Sequence, residues 1–269
     1  MAAVQTAARF RTPGAFRVLS WNFAVYRRLW KLNLLSSFVQ PMLYLLGLGV
    51  GVGSLVDRNT SNSAVLGTGS YVGFVVPGLL VTTAMSLAAG ESMWPVMGGL
   101  TWQRSYHGMA ATPLDARDIV LGHACWMALR CGLATVAVSL ALALFPDTRS
   151  WGLVPAVLVA MLVGVAFAMP IMSFSVGAKM DGSFAAIQRF VVIPLFLFGG
   201  AFYPLSQLPV VVQWIAKAAP LWHGVVVARG FTSSNVDWLG VAGHLGYVSL
   251  WGIIGAVVAI RRLRGRLYT

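Results

Sequence analysis

The sequence predicts an all-α polytopic membrane protein with six transmembrane helices, an N-terminal interfacial amphipathic helix, and re-entrant helices between spans five and six. Three observations carry that expectation. Hydrophobic residues make up 58% of the 269 and charged residues only 10%, against roughly 25% charged in soluble domains. Mean hydropathy is +0.78. Apolar runs long enough to cross a bilayer alternate with short polar segments, and Lys and Arg collect on one side of that alternation. The whole chain, 1–269, reads as a single transmembrane domain.

The elements follow in order. Residues 10–31 interleave Arg11, Arg17, Arg27, Arg28 and Lys31 with Phe16, Leu19, Trp21, Phe23, Tyr26 and Trp30, the pattern of a helix lying in the membrane interface. It serves either as an elbow that docks on a partner or as a plain anchor. Residues 32–53 form the first span, and Gly47, Gly49, Gly51 and Gly53 offer small-xxx-small pairs for close helix contact. They are no dinucleotide fingerprint, because the spacing is wrong and no strand precedes them. Residues 55–70, with Asp57, Arg58, Asn59, Ser61 and Asn62, form a polar external loop. Residues 71–90 are the second span, broken at Pro77 and Gly78, where freed backbone groups need new partners; the break is a kink near a pore or one without function.

Residues 91–118 crowd Glu91, Trp102, Gln103, Arg104, His107, Thr112, Asp115, Arg117 and Asp118 into a connection rich in helix formers. It is too short and polar to cross a bilayer. The expectation is a cytoplasmic coupling segment, the surface a membrane subunit offers to a soluble motor. Asp115 stands where an N-cap would, with Asp118 at N3, and the third span runs on to Leu144. Arg130 lies about eleven residues into it, roughly mid-bilayer at ~1.5 Å per residue. An ionisable group there faces the bundle or a wet cavity, so it belongs to a pore or a subunit contact.

Residues 145–151 are an external turn with Pro146 and Asp147; 152–176 are the fourth span, kinked at Pro170; and 177–183 return the chain inside with Lys179 and Asp181. Residues 184–203 are the fifth span, with Pro194 midway. Residues 204–231 are cut by Pro204, Pro209 and Pro220 into pieces of about ten residues, too short to span and suited to re-entrant or interfacial helices. Residues 238–260 are the last span, ending in Arg261, Arg262, Arg264 and Arg266.

Six spans put both termini on one side. Only Arg58, Arg149, Lys217 and Arg229 then lie outside, so both termini are expected in the cytoplasm and the chain in the plasma (inner) membrane. The excess positive charge suits the anionic lipid of the inner face, and no polar face exists for nucleic acid. Cys125 and Cys131 lie on different faces of one helix and serve packing. The first thirteen residues hold no apolar h-region, so no cleaved signal peptide is expected. Lys31, Lys179 and Lys217 neither follow Gly nor precede Ser or Thr, which excludes a P-loop. The four histidines lack the spacing of a metal site, and no nucleophile, base and acid fall together. No catalytic residue, metal ligand or bound cofactor is expected.

Pro77-Gly78-Leu79-Leu80, Glu91 followed by Trp102-Gln103-Arg104, and Ala110 to Leu114 with Asp118 to Gly122 stand in an order that extends to Gly199 to Leu205 and Pro220 to His223. In this order and spacing the chain resembles the membrane subunit (permease) of ABC-2 type exporters, in the subgroup of nodulation-factor exporter and daunorubicin-resistance permeases. The resemblance implies a half-transporter. Two permease copies, identical or related, surround a path, and each couples to a separate ABC ATP-binding subunit that holds ATP and Mg. It further implies that Glu91, Trp102, Arg104, Thr112, Pro113 and Leu114 transmit closure of the ATPase, and that Phe202, Tyr203, Trp214, Trp222 and His223 form the outer gate. The bland alternatives are helix packing for the first set and an aromatic belt for the second. Few ionisable groups lie in the spans, which argues against a route for small hydrated ions. The expected cargo is an amphiphile, a lipid-linked glycan, lipooligosaccharide or hydrophobic drug, whose head passes Thr82, Thr83 and Arg130. A passive channel and a membrane-embedded transferase remain the alternatives.

Overall fold

The computed structural model describes residues 13–58, 70–142, 148–178, 180–233 and 236–268. Most of the predicted external loop 55–70, Phe145 to Asp147 of the next turn, Leu144, Lys179 and residues 10–12 lie outside the described residues. Within them the chain is helical, without strands. Four helices are long and apolar enough to cross a membrane, and five if one bent pair is taken as a span.

The first helix, α1 (Gly14–Tyr44), continues through a π-helical stretch, Leu45–Val52, into a last turn, Gly53–Val56. The sequence suggests an interfacial helix ending at Lys31 and a separate span from Leu32; the structure shows no break there. Nothing between 28 and 40 ends a helix, and Pro41, the first residue lacking a backbone donor, lies just ahead of the π-helical stretch. The glycines expected to make close contacts behave unequally. Gly53 packs on Tyr71, whereas Gly47 meets nothing within 4 Å.

The second helix, α2 (Tyr71–Met97), extends through a π-helical turn, Gly98–Trp102, giving 32 residues. The predicted end at Gly90 is therefore too early, and Glu91 sits in a spanning helix, not in a loop. Pro77 does not break it. Gly78 is there for another reason: a Cβ would lie 2.7 Å from Ala201 Cα. After Arg104 come α3 (Ser105–Ala110) and α4 (Ala116–Leu142). One half of the expected capping box forms at the start of α4, where Asp118 Oδ2 accepts from Asp115 N–H at 3.1 Å, while Asp115 Oδ1 accepts from Ala116 N–H at 2.8 Å and not from N3.

The next long helix, α5 (Leu153–Gly177), contains Pro170. It is followed by α6 (Gly182–Phe198), only 17 residues and π-helical between Gln188 and Val192. The predicted fifth span, 184–203, thus loses its last turn: Gly199 leaves the helix and Gly200 takes φ +81°, open to glycine at no steric cost. Two short helices, α7 (Val210–Ala218) and α8 (Pro220–Thr232), meet at an 85° bend. The last, α9 (Trp238–Leu267), carries the four C-terminal arginines inside the helix and not after it.

The helix directions follow from the contacts. Helix α5 is the hub, packing on α2, α4, α8 and α9. Gly164 faces Cys131 and Ala84, Gly132 faces Met161, Gly252 faces Ala166, and a Cβ on Gly255 would lie 2.5 Å from Pro170. These pairings make α2, α5 and α9 parallel and α4 antiparallel to them. Helix α1 runs alongside α4 in the same direction, Gly14 against Asp118, Val18 against Gly122 and Tyr26 against Trp126. Small residues at these crossings let the backbones approach, which substitutes for a hydrophobic drive that lipid does not supply.

These contacts set the cost of added volume. Gly78→Ala, which has backbone on its far side, should destabilise by roughly 1–3 kcal/mol. Gly246→Ala, with nothing within 4 Å, should be neutral or stabilising through helix propensity. Thermal unfolding of the two variants in detergent, followed by size-exclusion fluorescence, checks the contrast.

Candidate functional site

The antiparallel packing of α2 on α4 brings together two charges in the middle of the apolar bundle. Arg130 Nη2 lies 3.4 Å from Glu91 Oε1, with Arg130 2% exposed and Glu91 28%. The guanidinium also lies over the Tyr26 ring at 4.6 Å, and Tyr26 packs edge-on to Trp126 at 5.5 Å. Three helices therefore hold one arginine. Beside the pair, buried Ser92 Oγ and His123 Nε2 are 3.1 Å apart.

Glu91 stands at the junction of two hollows. A groove of about 550 Å³ between α1, α2 and α6 exposes Gln40, Thr83, Ser86, Glu91 and Gln188 among apolar neighbours. A second, of about 330 Å³ between α1, α2, α3 and α4, includes Asn22, Asn33, Glu91, Tyr106 and Arg130. Of the residues predicted to lie on a path, Thr83 and Arg130 each line one of these hollows. Thr82 does not: it is fully buried, with its hydroxyl bonded to Gly78 O at 2.9 Å. Ser86 and Gly90 escaped the sequence reading, although they repeat at three to four residues from Thr83 and so share its helix face. Gln40 and Gln188 come from other helices and left no such signal.

The six residues assigned to coupling occupy two places. Glu91 is inside the bundle. Trp102, 62% exposed, and Arg104, Thr112, Pro113 and Leu114 lie at the end where α2 meets α4. Arg104 adopts φ +50°, the left-handed conformation that turns the chain from α2 into α3. Glu91 and Trp102 are connected by eleven residues of continuous helix, about 16 Å. The last helix reaches this end too: Arg264 Nη2 bonds Asp115 Oδ2 at 2.5 Å and Tyr268 OH reaches Leu114 O at 3.5 Å. The Arg264 hydrogen bond holds the Asp115 carboxyl below its ordinary range. Both partners are largely exposed, so the pair contributes ~0–1 kcal/mol. Arg262 bonds Ser173 O and Arg266 bonds Val176 O and Ala178 O. The basic tail is thus engaged with protein as well as suited to lipid.

The opposite end holds the five aromatics in three settings. Phe202 is buried, packed on Phe196 at 5.1 Å and Tyr44 at 6.2 Å, and its carbonyl accepts from Tyr71 OH at 3.0 Å; Tyr203 follows it, half-buried. Trp222 and His223 form a ring cluster with His244 and Tyr247. Trp214, 71% exposed on α7, stands on the outside of the bundle. Arg229 fastens this end by stacking on Phe74 at 3.7 Å while donating to Gly200 O at 2.9 Å and Phe74 O at 3.3 Å. Among the described residues no three His, Cys, Asp or Glu side chains are placed to hold a metal ion.

Comparison with known proteins gives this arrangement its setting. The family model for the ABC-2 type transporter matches residues 15–231. Nodulation protein J of Rhizobium leguminosarum bv. trifolii is 33% identical over 258 residues, covering 93% of this chain and 94% of that protein. Nodulation protein J of Rhizobium meliloti (strain 1021) is 30% identical over 92% of this chain and 94% of its own length. The inner membrane transport permease YadH of Escherichia coli (strain K12) is 26% identical over 80% and 82%. No solved structure matches the chain. With apolar spanning helices, a family match over most of its length and relatives above 30% identity end to end, the chain belongs to the ABC-2 type transporter family, as a multi-pass membrane component of a transporter and not itself an enzyme.

Proposed function

We propose that this chain is the permease of an ATP-driven exporter that moves an amphiphile, a lipid-linked glycan, lipooligosaccharide or hydrophobic drug, out across the plasma (inner) membrane. The observation that carries the reading is the groove beside Glu91. Gln40, Thr83, Ser86, Glu91 and Gln188 open sideways from an otherwise apolar bundle, and polar groups facing hydrocarbon would each be costly. A second permease copy, identical or related, converts the groove into one wall of a water-accessible path. Its mixed lining suits a cargo with a polar head and an apolar body.

Energy comes from a separate ABC ATP-binding subunit, with which the family normally pairs and which carries ATP and Mg. That subunit docks on Trp102, Arg104, Thr112, Pro113 and Leu114. Its closure reaches the groove along the continuous helix from Trp102 to Glu91, whose ion pair with Arg130 passes the motion to α4. Residues 204–231 are an external re-entrant segment. In support of this, α8 starts beside Gly199 and Val163, deep along α5, and returns to Gly152 at the start of α5 at its Phe231 end. Helix α1 from about Leu32 and helix α6 complete six passes, consistent with α1 running parallel to α4 and α6 running opposite to α2.

Three measurements test this reading. Cysteines placed at Asn59 and Ser206 should react with an impermeant maleimide on intact cells and one at Thr269 should not; labelling of Thr269 from outside overturns the topology. The purified chain should hydrolyse no ATP, and with the partner bound Arg104→Ala should lower transport-linked turnover several-fold. Unchanged turnover and assembly in that variant removes the docking assignment. Glu91→Ala and Arg130→Ala should each destabilise by ~3–5 kcal/mol, because each strands the other charge. The double variant should recover part of that stability but none of the transport of labelled glycolipid or dye. Passage of small ions alone by the reconstituted complex would favour a channel.

A further inference from the structure

The elbow between α7 and α8 is fastened to α9 by two histidines. His223, one turn into α8, and His244, in the second turn of α9, place Nδ1 2.6 Å from Nδ1. The other nitrogen of His223, Nε2, lies 2.9 Å from the carbonyl oxygen of Lys217. A carbonyl only accepts, so Nε2 carries a hydrogen and Nδ1 of neutral His223 is the acceptor. His244 Nδ1–H is then the donor. Tyr247 OH donates to Ala218 O at 2.7 Å, tying α9 to the other side of the same elbow.

The bridge has room for one hydrogen. A first added proton is accommodated, because it can reside on His244 Nε2 while the two Nδ1 atoms still share one hydrogen in a charge-assisted bond. A second proton sets N–H against N–H and places two cations in contact, which breaks the bridge. The groups around the pair do not relieve this. Trp222 packs edge-on to both imidazoles, Tyr247 stacks on His223 at 4.2 Å, and Lys217, on α7, adds a positive charge 5.9 Å from the Trp222 ring. None of these partners is a carboxylate.

Helix α7 turns Val210, Val211 and Trp214 outward, and behind it lies an apolar hollow of about 510 Å³ lined by Phe167, Ile171, Leu195, Ile215 and Trp251. We propose that the His223 and His244 pair is a proton-operated latch that holds the α7–α8 elbow on α9 and releases it when the pair takes up its second proton. The side of the membrane that supplies the proton, the outer one, rests on the topology proposed above; the latch itself does not.

Spin labels at Val211 on α7 and Leu250 on α9, both exposed, report the latch as an inter-label distance in the full chain. That distance should be constant near neutral pH and should lengthen on acidification, once both imidazoles carry a proton. His244→Gln retains a hydrogen-bonding amide without a titrating group and should hold the short distance throughout. A wild-type distance unchanged down to pH 4, or the same lengthening in His244→Gln, overturns the proposal. Should that variant fail to fold, ¹⁵N-histidine resonances of the unmodified protein decide. Two histidines coupled through one bridging proton support the latch, and two that both charge fully by pH 6 with the bridge intact refute it. Because the readout is a distance, loss of the export reading would leave it standing, and its loss would leave export untouched.

Discussion

Everything in this bundle depends on how closely the other helices approach α5. Inside lipid, apolar side chains gain little from leaving one hydrocarbon for another, so association rests on packing and on interhelical polar contacts. Gly164, Gly132, Gly252 and Gly255 remove the side chains that would hold α5 away from α2, α4 and α9 or wedge them apart. The proline at 170 fits only because Gly255 leaves space for its ring. Close approach then fixes the axial register of four helices, and register decides which polar groups meet.

The Glu91 and Arg130 pair is the main consequence. Two ionised side chains in an apolar interior are costly unless they neutralise one another, and the register of α2 against α4 supplies that partner. Tyr26 adds a third hold from α1, so the arginine is confined by an anion and an aromatic face at once. The pair is partly open only on the glutamate side, where the two hollows meet. The arginine is closed off while the glutamate is partly exposed. Water entering along the groove would weaken the attraction, and closure would strengthen it.

The two ends of the molecule are fastened by different chemistry. At the end bearing the 103–115 connection, cationic side chains of α9 grip carbonyl groups at the end of α5 and a carboxylate at the start of α4. Movement there must be shared by α4, α5 and α9. At the other end Arg229 binds the turn at Gly200 to α2 and α8, while α7 is attached mainly through its elbow. The two ends are thus joined by the same three parallel helices.

The sequence by itself determined the class, the helical character and the approximate place of the four long apolar helices, because length and hydropathy of each run are local properties that lipid reads directly. It also placed the capping residues Asp115 and Asp118 and cut 204–231 into two short helices at Pro220, since capping and proline act within a few residues. It placed Arg130 in the bundle but could not name its partner. Glu91 is 39 positions away and sits on a helix that outruns its apolar stretch, so hydropathy closed the span before it. The continuity of helix α1 across Lys31, the early end of α6, the separation of Thr82 from Thr83 and the meeting of His223 with His244 were decided by tertiary structure alone. Each depends on which surfaces face one another across distant parts of the chain, and side-chain periodicity along one helix carries no record of its neighbours.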